Sequence, residues 1–245
     1  MRKLLFANIS RLLLNKAFWL TIIIMICAES FFCWILLGQD TPMDYTLFVP
    51  LQGIGLLTSV FLSLFLGTEY SDGTIRNKVI VGHKRGNIYL ASLFTGIVAI
   101  TIIYFAEVLT GSVFGIILNA SLYNGINKIA LAGIVGWLAC VSYISIFNLA
   151  GMLSSSKART SIICLLTAFI LMLAGLTCAL LAGQGFLPTS SIVYLLLFEV
   201  NPFGQTFQTV SIDIAAPWNL AAYALILSFI LTGFGMYVFH KKDLK

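Results

Sequence analysis

Six apolar runs, each about twenty residues or longer, decide what this chain can become. They fall near 17–38, 47–67, 88–118, 129–153, 161–182 and 218–239. The hydrocarbon core of a bilayer takes about 20 apolar residues in a helix. Backbone groups in lipid must pair within their own segment, so each run predicts a spanning helix. The run at 88–118 exceeds a perpendicular crossing, which predicts tilt or first turns outside the hydrocarbon. Barrel strands would alternate apolar and polar residues, and these runs do not. Only 9% of the 245 residues are charged, against 60% hydrophobic. A soluble domain carries about 25% charged residues, so the surplus apolar surface has to face lipid. The expected fold is an all-α polytopic membrane protein, one domain over 1–245 with six transmembrane helices.

Charge sets the expected orientation. Arg2, Lys3, Arg11 and Lys16 precede the first run, and Arg76, Lys78, Lys84 and Arg85 follow the second. Lys157 and Arg159 follow the fourth, and Lys241, Lys242 and Lys245 follow the sixth. Thirteen of the 14 Lys and Arg thus share one side, with Lys128 alone opposite. The positive-inside rule makes that side the cytoplasm and puts both termini there. The net charge of +5 then reports topology, and a nucleic-acid partner is not expected.

A cleaved signal peptide would suit the basic start and Phe18–Cys27. Apolar sequence resumes at Phe31-Phe32-Cys33-Trp34, where a cleavage region should sit, so the first span is expected to be retained. Cysteines 27, 33, 140, 164 and 178 all fall within expected spans and read as small packing residues, not a disulfide framework. Before the first span, Leu5, Ile9, Leu12 and Lys16 share one helical face and Asn8, Arg11 and Asn15 another. That spacing predicts an N-terminal interfacial amphipathic helix with Lys16 snorkelling.

The connection 68–87 is the most specific segment. Asp72-Gly73 marks a turn. Thr74 is placed to cap a short helix over Ile75–Val81, and Gly82 to end it in the left-handed region. Its apolar side (Ile75, Val79) and basic side (Arg76, Lys78) suit docking into a groove of a cytosolic partner. Glu69, at the end of the second run, is expected to pair with Arg76 or with a base of that partner.

The run Glu69-Tyr70-Ser71-Asp72-Gly73-Thr74-Ile75-Arg76-Asn77-Lys78, with Gly82-His83-Lys84-Arg85 and Ile88-Tyr89-Leu90, resembles ABC-2 type permeases. These are membrane subunits of ATP-binding-cassette transporters, many of them bacterial exporters. The resemblance extends over the amphipathic start, the six spans, Asn201-Pro202-Phe203-Gly204 and the Lys241–Lys245 tail. It implies a short cytoplasmic coupling helix that touches a separate ATPase subunit, with Glu69, Gly73, Thr74, Ile75, Arg76, Asn77 and Lys78 in that role. It also implies a second permease copy or homologue, a bacterial cytoplasmic membrane, and a re-entrant element before the last helix.

The chain lacks a Gly-x-x-x-x-Gly-Lys-Ser/Thr phosphate loop, so ATP and Mg are expected on the partner ATPase and no cofactor or metal on this chain, which is not expected to be an enzyme. The outer connection 183–217 carries no Lys or Arg, three prolines and the apolar stretch Ile192–Val200, too short to span and suited to a re-entrant or interfacial helix. Glu29 and Glu107 interrupt the first and third spans. A charge at mid-bilayer costs about 2.5–3.5 kcal/mol on insertion scales, so these acids either line the substrate pathway or are satisfied within the bundle. Gly111 and Gly115 have the spacing of a close helix contact. An exporter of an amphipathic compound, such as an antimicrobial peptide or drug, is the leading expectation. The alternatives are an ion-coupled secondary transporter using Glu29 and Glu107, and a membrane scaffold or sensor subunit.

Overall fold

In the computed structural model, which describes residues 1–37, 41–154, 156–183, 188–210 and 216–242, the secondary structure of the described residues is helical. Lys245, one of the basic residues that set the expected orientation, lies outside the described residues.

Among the described residues, six helices are long and apolar enough to cross a membrane, which makes this a multi-pass membrane protein. They are α2 (Lys16–Leu37), α4 (Leu51–Ser71), α6 (Arg85–Ile117), α7 (Ile126–Leu153), α8 (Lys157–Gly183) and α11 (Pro217–Lys241). All six match the runs in the sequence, with boundaries shifted by a few residues. α6 is unbroken over 33 residues, about 50 Å at 1.5 Å per residue, against a hydrocarbon core of about 30 Å.

Among the described residues, shorter helices lie in the connections: α1 (Arg2–Leu13), α3 (Met43–Thr46), α5 (Thr74–Ile80), α9 (Pro188–Val200) and α10 (Pro202–Thr209). Asn15 separates α1 from α2 and caps the latter, its Oδ1 accepting from the backbone N–H of Ala17 at 2.8 Å and Phe18 at 3.3 Å. Asn201 divides α9 from α10 in the same way. Its Oδ1 accepts from Phe203 N–H (3.0 Å) while its Nδ2 donates to Leu171 O of α8 (2.8 Å). Pro202 at the first turn of α10 has no N–H to leave unpaired.

α7 lies at the centre, packed against α4, α6, α10 and α11, while α2 packs on α6 and α8 on α4. α8 and α11 bury little of themselves, and leave Phe169, Leu173, Phe229 and Ile230 exposed. That apolar surface is the one a bilayer covers. Between helices the bundle is tied by buried hydroxyls and amides: Ser92 Oγ donates to Asn148 Oδ1 (2.8 Å) and Ser142 Oγ to Ala224 O (3.0 Å). Such bonds hold spans together where lipid and side chain are equally apolar.

The two ends of the bundle differ. At one, Asp44 accepts from Tyr123 N–H and from Asn124 N–H and Nδ2, joining α3 to the α6–α7 connection. At the other, Lys242 Nζ donates to Met152 O (3.1 Å), Ser154 O (2.7 Å) and Tyr70 Oη (3.1 Å), and Arg85 donates to the carbonyls of His240 and Lys242. The described ends of the chain therefore meet at the same, basic, end.

Candidate functional site

The basic end is organised around one carboxylate. Glu69, in the last turn of α4, is 1% exposed. Its Oε1 accepts from Lys78 Nζ of α5 at 2.8 Å and pairs with Arg11 Nη1 of α1 at 2.7 Å. Lys78 Nζ also donates to Asn8 Oδ1 (2.9 Å), and Arg11 Nη2 to Phe65 O (2.9 Å), with its guanidinium stacked on the Phe65 ring. Glu69 thus joins three helices. The expected Glu69–Arg76 pair does not form: Arg76 is on the exposed side of α5, and Lys78 takes the place beside the carboxylate.

The local fold of α5 explains how Lys78 arrives there. Gly73 precedes the helix at φ +66°, in the left-handed region that a residue with a Cβ enters at a cost. The expectation that Thr74 caps the helix is corrected: Gly73 holds the capping position, and Thr74 Oγ1 donates back to Glu69 O at 2.8 Å, bracing the turn. Gly82, at φ +94°, ends the helix as the sequence suggested. Gly82 N–H donates to Val79 O and His83 N–H to Lys78 O, the paired bonds of a Schellman cap. Two left-handed glycines therefore bracket a two-turn helix and turn it across the end of the bundle.

The face that α5 presents differs from the one read from sequence. Ile75 is 1% exposed and Val79 packs beside it against the chain's own core, so neither is free to enter a partner. The outward face is Arg76, Asn77, Ile80 and Val81, with Ile80 and Val81 71% and 75% exposed. Ile80 and Val81 thus stand beside Arg76 on the side of α5 that faces away from the bundle. α1 is corrected in the same sense. Its buried residues are Leu4, Asn8 and Leu12, and Arg11 reaches Glu69, so Leu12 of the apolar face and Asn8 and Arg11 of the polar face turn into the bundle together, while Phe6, Leu13 and the following Leu14 are exposed. Asn8 and Arg11 were missed as site residues. Arg11 pairs with Glu69 and Asn8 accepts from Lys78, 70 positions away from it, and no local pattern reports such distances.

Glu29 and Glu107 come from neighbouring helices, α2 and α6, and both are fully buried. Cys33 Sγ donates to Glu29 Oε1 at 3.2 Å; among the described residues, Glu29 Oε2 and both oxygens of Glu107 have no hydrogen-bond partner. Among the described residues neither acid forms an ion pair. Gly111 admits the Glu29 carboxyl to the α6 surface, since a Cβ there would collide with Oε1, and Gly115 likewise admits Met43. The glycine pair therefore receives side chains and is not a backbone contact. A cavity of about 480 Å³ opens nearby between α6 and α7, over Tyr104, Val108, Ser112, Gly133 and Trp137. Neither acid lines it, so this conformation encloses both away from any path through that cavity.

No protein-family model matches the chain, and no curated protein sequence matches it.

Proposed function

We propose that the chain is the membrane-spanning permease subunit of an ATP-binding-cassette transporter of the ABC-2 type. Its basic end faces the cytoplasm of a bacterial cell, and a separate ATPase binds ATP and Mg there. The observation that carries the reading is α5: a two-turn helix bracketed by Gly73 and Gly82, anchored through Lys78 to Glu69, with Ile80 and Val81 outward. A push on its outer face is transmitted to α4 and α1, because Glu69 binds both neighbours at once. Coupling then rests on Glu69, Gly73 and Lys78 as the anchor, Thr74 and Ile75 as the seat, and Arg76, Asn77, Ile80 and Val81 as the contact. α1 lies in the headgroup layer. The α9–α10 pair is a re-entrant element: a break at Asn201 separates α9, which leaves Ile192, Val193 and Leu197 exposed, from α10, which is buried against α4, α7 and α8. A second permease copy completes the pathway, and the cargo is an amphipathic compound such as an antimicrobial peptide or drug.

The test uses the full chain co-expressed with candidate ATPase subunits. Ile80→Asp and Val81→Asp should insert normally, yet lose the copurifying ATPase or its substrate-stimulated hydrolysis. Normal association and transport by both variants would remove α5 from coupling. Ion-gradient-driven transport by the chain alone in liposomes would favour the ion-coupled reading, for which the unpartnered oxygens of Glu29 and Glu107 speak.

A further inference from the structure

A groove of about 290 Å³ runs between α1 and α5 at the basic end. Leu4, Thr74 and Lys78 line it, and Lys3, Asn77 and His83 stand around it. Its charge follows from the neighbouring node. One carboxylate, Glu69, faces two cations, Arg11 and Lys78, so the node keeps a positive charge, and Lys78 carries it to the groove wall. Lys3 adds a second and has no ion-pair partner among the described residues. Asn77 and His83 offer side-chain N–H donors beside these cations. No acidic side chain is among the residues lining the groove.

The position of the groove points to a lipid. α1 passes into the spanning helix α2 through Leu14 and Asn15 only, so it lies at the boundary of the bilayer. At that junction Trp19 is exposed while its indole N–H donates to Leu13 O (2.8 Å), the half-wet, half-apolar setting in which tryptophans collect at membrane surfaces. α1 also exposes Phe6 and Leu13, and Leu14 just after it is exposed too, with Phe6 next to the groove residue Ala7. A phosphate seated among Lys3, Lys78 and His83 would have apolar helix surface beside it on which acyl chains can lie.

We propose that the α1–α5 groove binds the phosphodiester headgroup of an anionic lipid, with Lys3 and Lys78 supplying charge and Asn77 and His83 supplying donors. The occupied groove holds α1 against α5, so lipid composition sets how firmly α5 is seated. The proposal needs only α1 at a bilayer surface and does not depend on an ATPase partner.

Native mass spectrometry of the full chain in detergent, given equal phosphatidylglycerol and phosphatidylcholine, tests it. A lysine close to an anionic headgroup is worth about 1 kcal/mol, roughly five-fold in affinity. Phosphatidylglycerol should be retained over phosphatidylcholine by at least that factor. Lys3→Gln should remove about five-fold, Lys3→Gln with His83→Gln more, and Lys241→Gln, an exposed cation at the same end, nothing. Equal retention of the two lipids would overturn the proposal. So would groove variants that bind like the wild type, or a loss at Lys241→Gln matching that at Lys3→Gln. Displacement by inorganic phosphate would make a free anion the ligand instead. Variants that keep phosphatidylglycerol but lose a copurifying protein would assign the groove to that protein.

Discussion

Three glutamates are buried to 1% exposure or less, and the molecule handles them in two ways. Glu69, at the basic end, has two cations and a braced turn around it. Glu29 and Glu107, within the spans, have one thiol donor between them and no ion pair among the described residues. The difference follows depth. Near the bundle end, Lys78 and Arg11 reach Glu69 while keeping contact with water, their side chains 15% and 32% exposed. Deeper, a compensating Lys or Arg would itself carry an insertion cost of about 2.5–3.5 kcal/mol, so the pair would bury two charges where one is already expensive. The first arrangement is an anchor, held by electrostatics; the second is an uncommitted pair of acids, of which Glu29 packs against Gly111.

The sharpest way to break that comparison is to neutralise each acid. Glu69→Gln leaves Arg11 and Lys78 without their carboxylate, and removing one partner of a buried pair costs about 3–5 kcal/mol. Thermal unfolding in detergent should show a large loss. Glu29→Gln and Glu107→Gln remove no ion pair and should change stability by less than about 1 kcal/mol. A loss at Glu107→Gln equal to that at Glu69→Gln would show that the deep pair is also an anchor.

A second contrast separates the two faces of α5. Ile75→Ala empties a buried site and should cost about 2–5 kcal/mol. Ile80→Ala, on an exposed side chain, should stay within about 0.5 kcal/mol of wild type and affect only partner binding. Equal destabilisation by the two would mean that the outward face of α5 is covered by the chain itself.

Gly73 tests the turn. Nothing lies within 4 Å of a Cβ placed there, so a substitution pays only for the left-handed backbone, about 1–2 kcal/mol per non-glycine residue. Gly73→Val should lose at least that much by thermal unfolding, and Gly73→Asn, which tolerates the region, should recover most of it. If Asn is as harmful as Val, the position is limited by space and not by φ.

The smallest expected effect belongs to the other anchor at the basic end. Burial pushes the Lys242 ammonium down from 10.5 to about 8. Between those values the folded chain binds fewer protons than the unfolded one, so this residue's contribution to stability rises with pH from about 8 to 10.5 and is lost as pH falls through 8. The difference in unfolding temperature between wild type and Lys242→Met should follow that window. A difference independent of pH would show that Lys242 stays charged among the carbonyls of Met152 and Ser154.

The six spans were legible because their cause is local: a run near 20 apolar residues has to be a helix in lipid whatever surrounds it. Gly82, and the breaks at Asn15 and Asn201, were within reach for the same reason, since capping chemistry acts over a few residues. Which way α1 and α5 face was not. Both helices carry apolar and polar residues on opposite sides, and the periodicity of α1 predicted its apolar side toward membrane and its polar side toward water. Arg11 turns inward because Glu69, brought to the same place by the fold of α4, pairs with it, and Asn8 because its Oδ1 accepts from Lys78 Nζ. Ile75 turns inward because the Gly73 turn lays α5 onto the bundle with that side down. By itself the sequence determined the number of spans, the basic end and the chemistry available at the connection 68–87. Only the tertiary structure decided that Lys78 and Arg11, not Arg76, share Glu69, because an ion pair is chosen by distance in space and burial, neither of which is written in spacing along the chain.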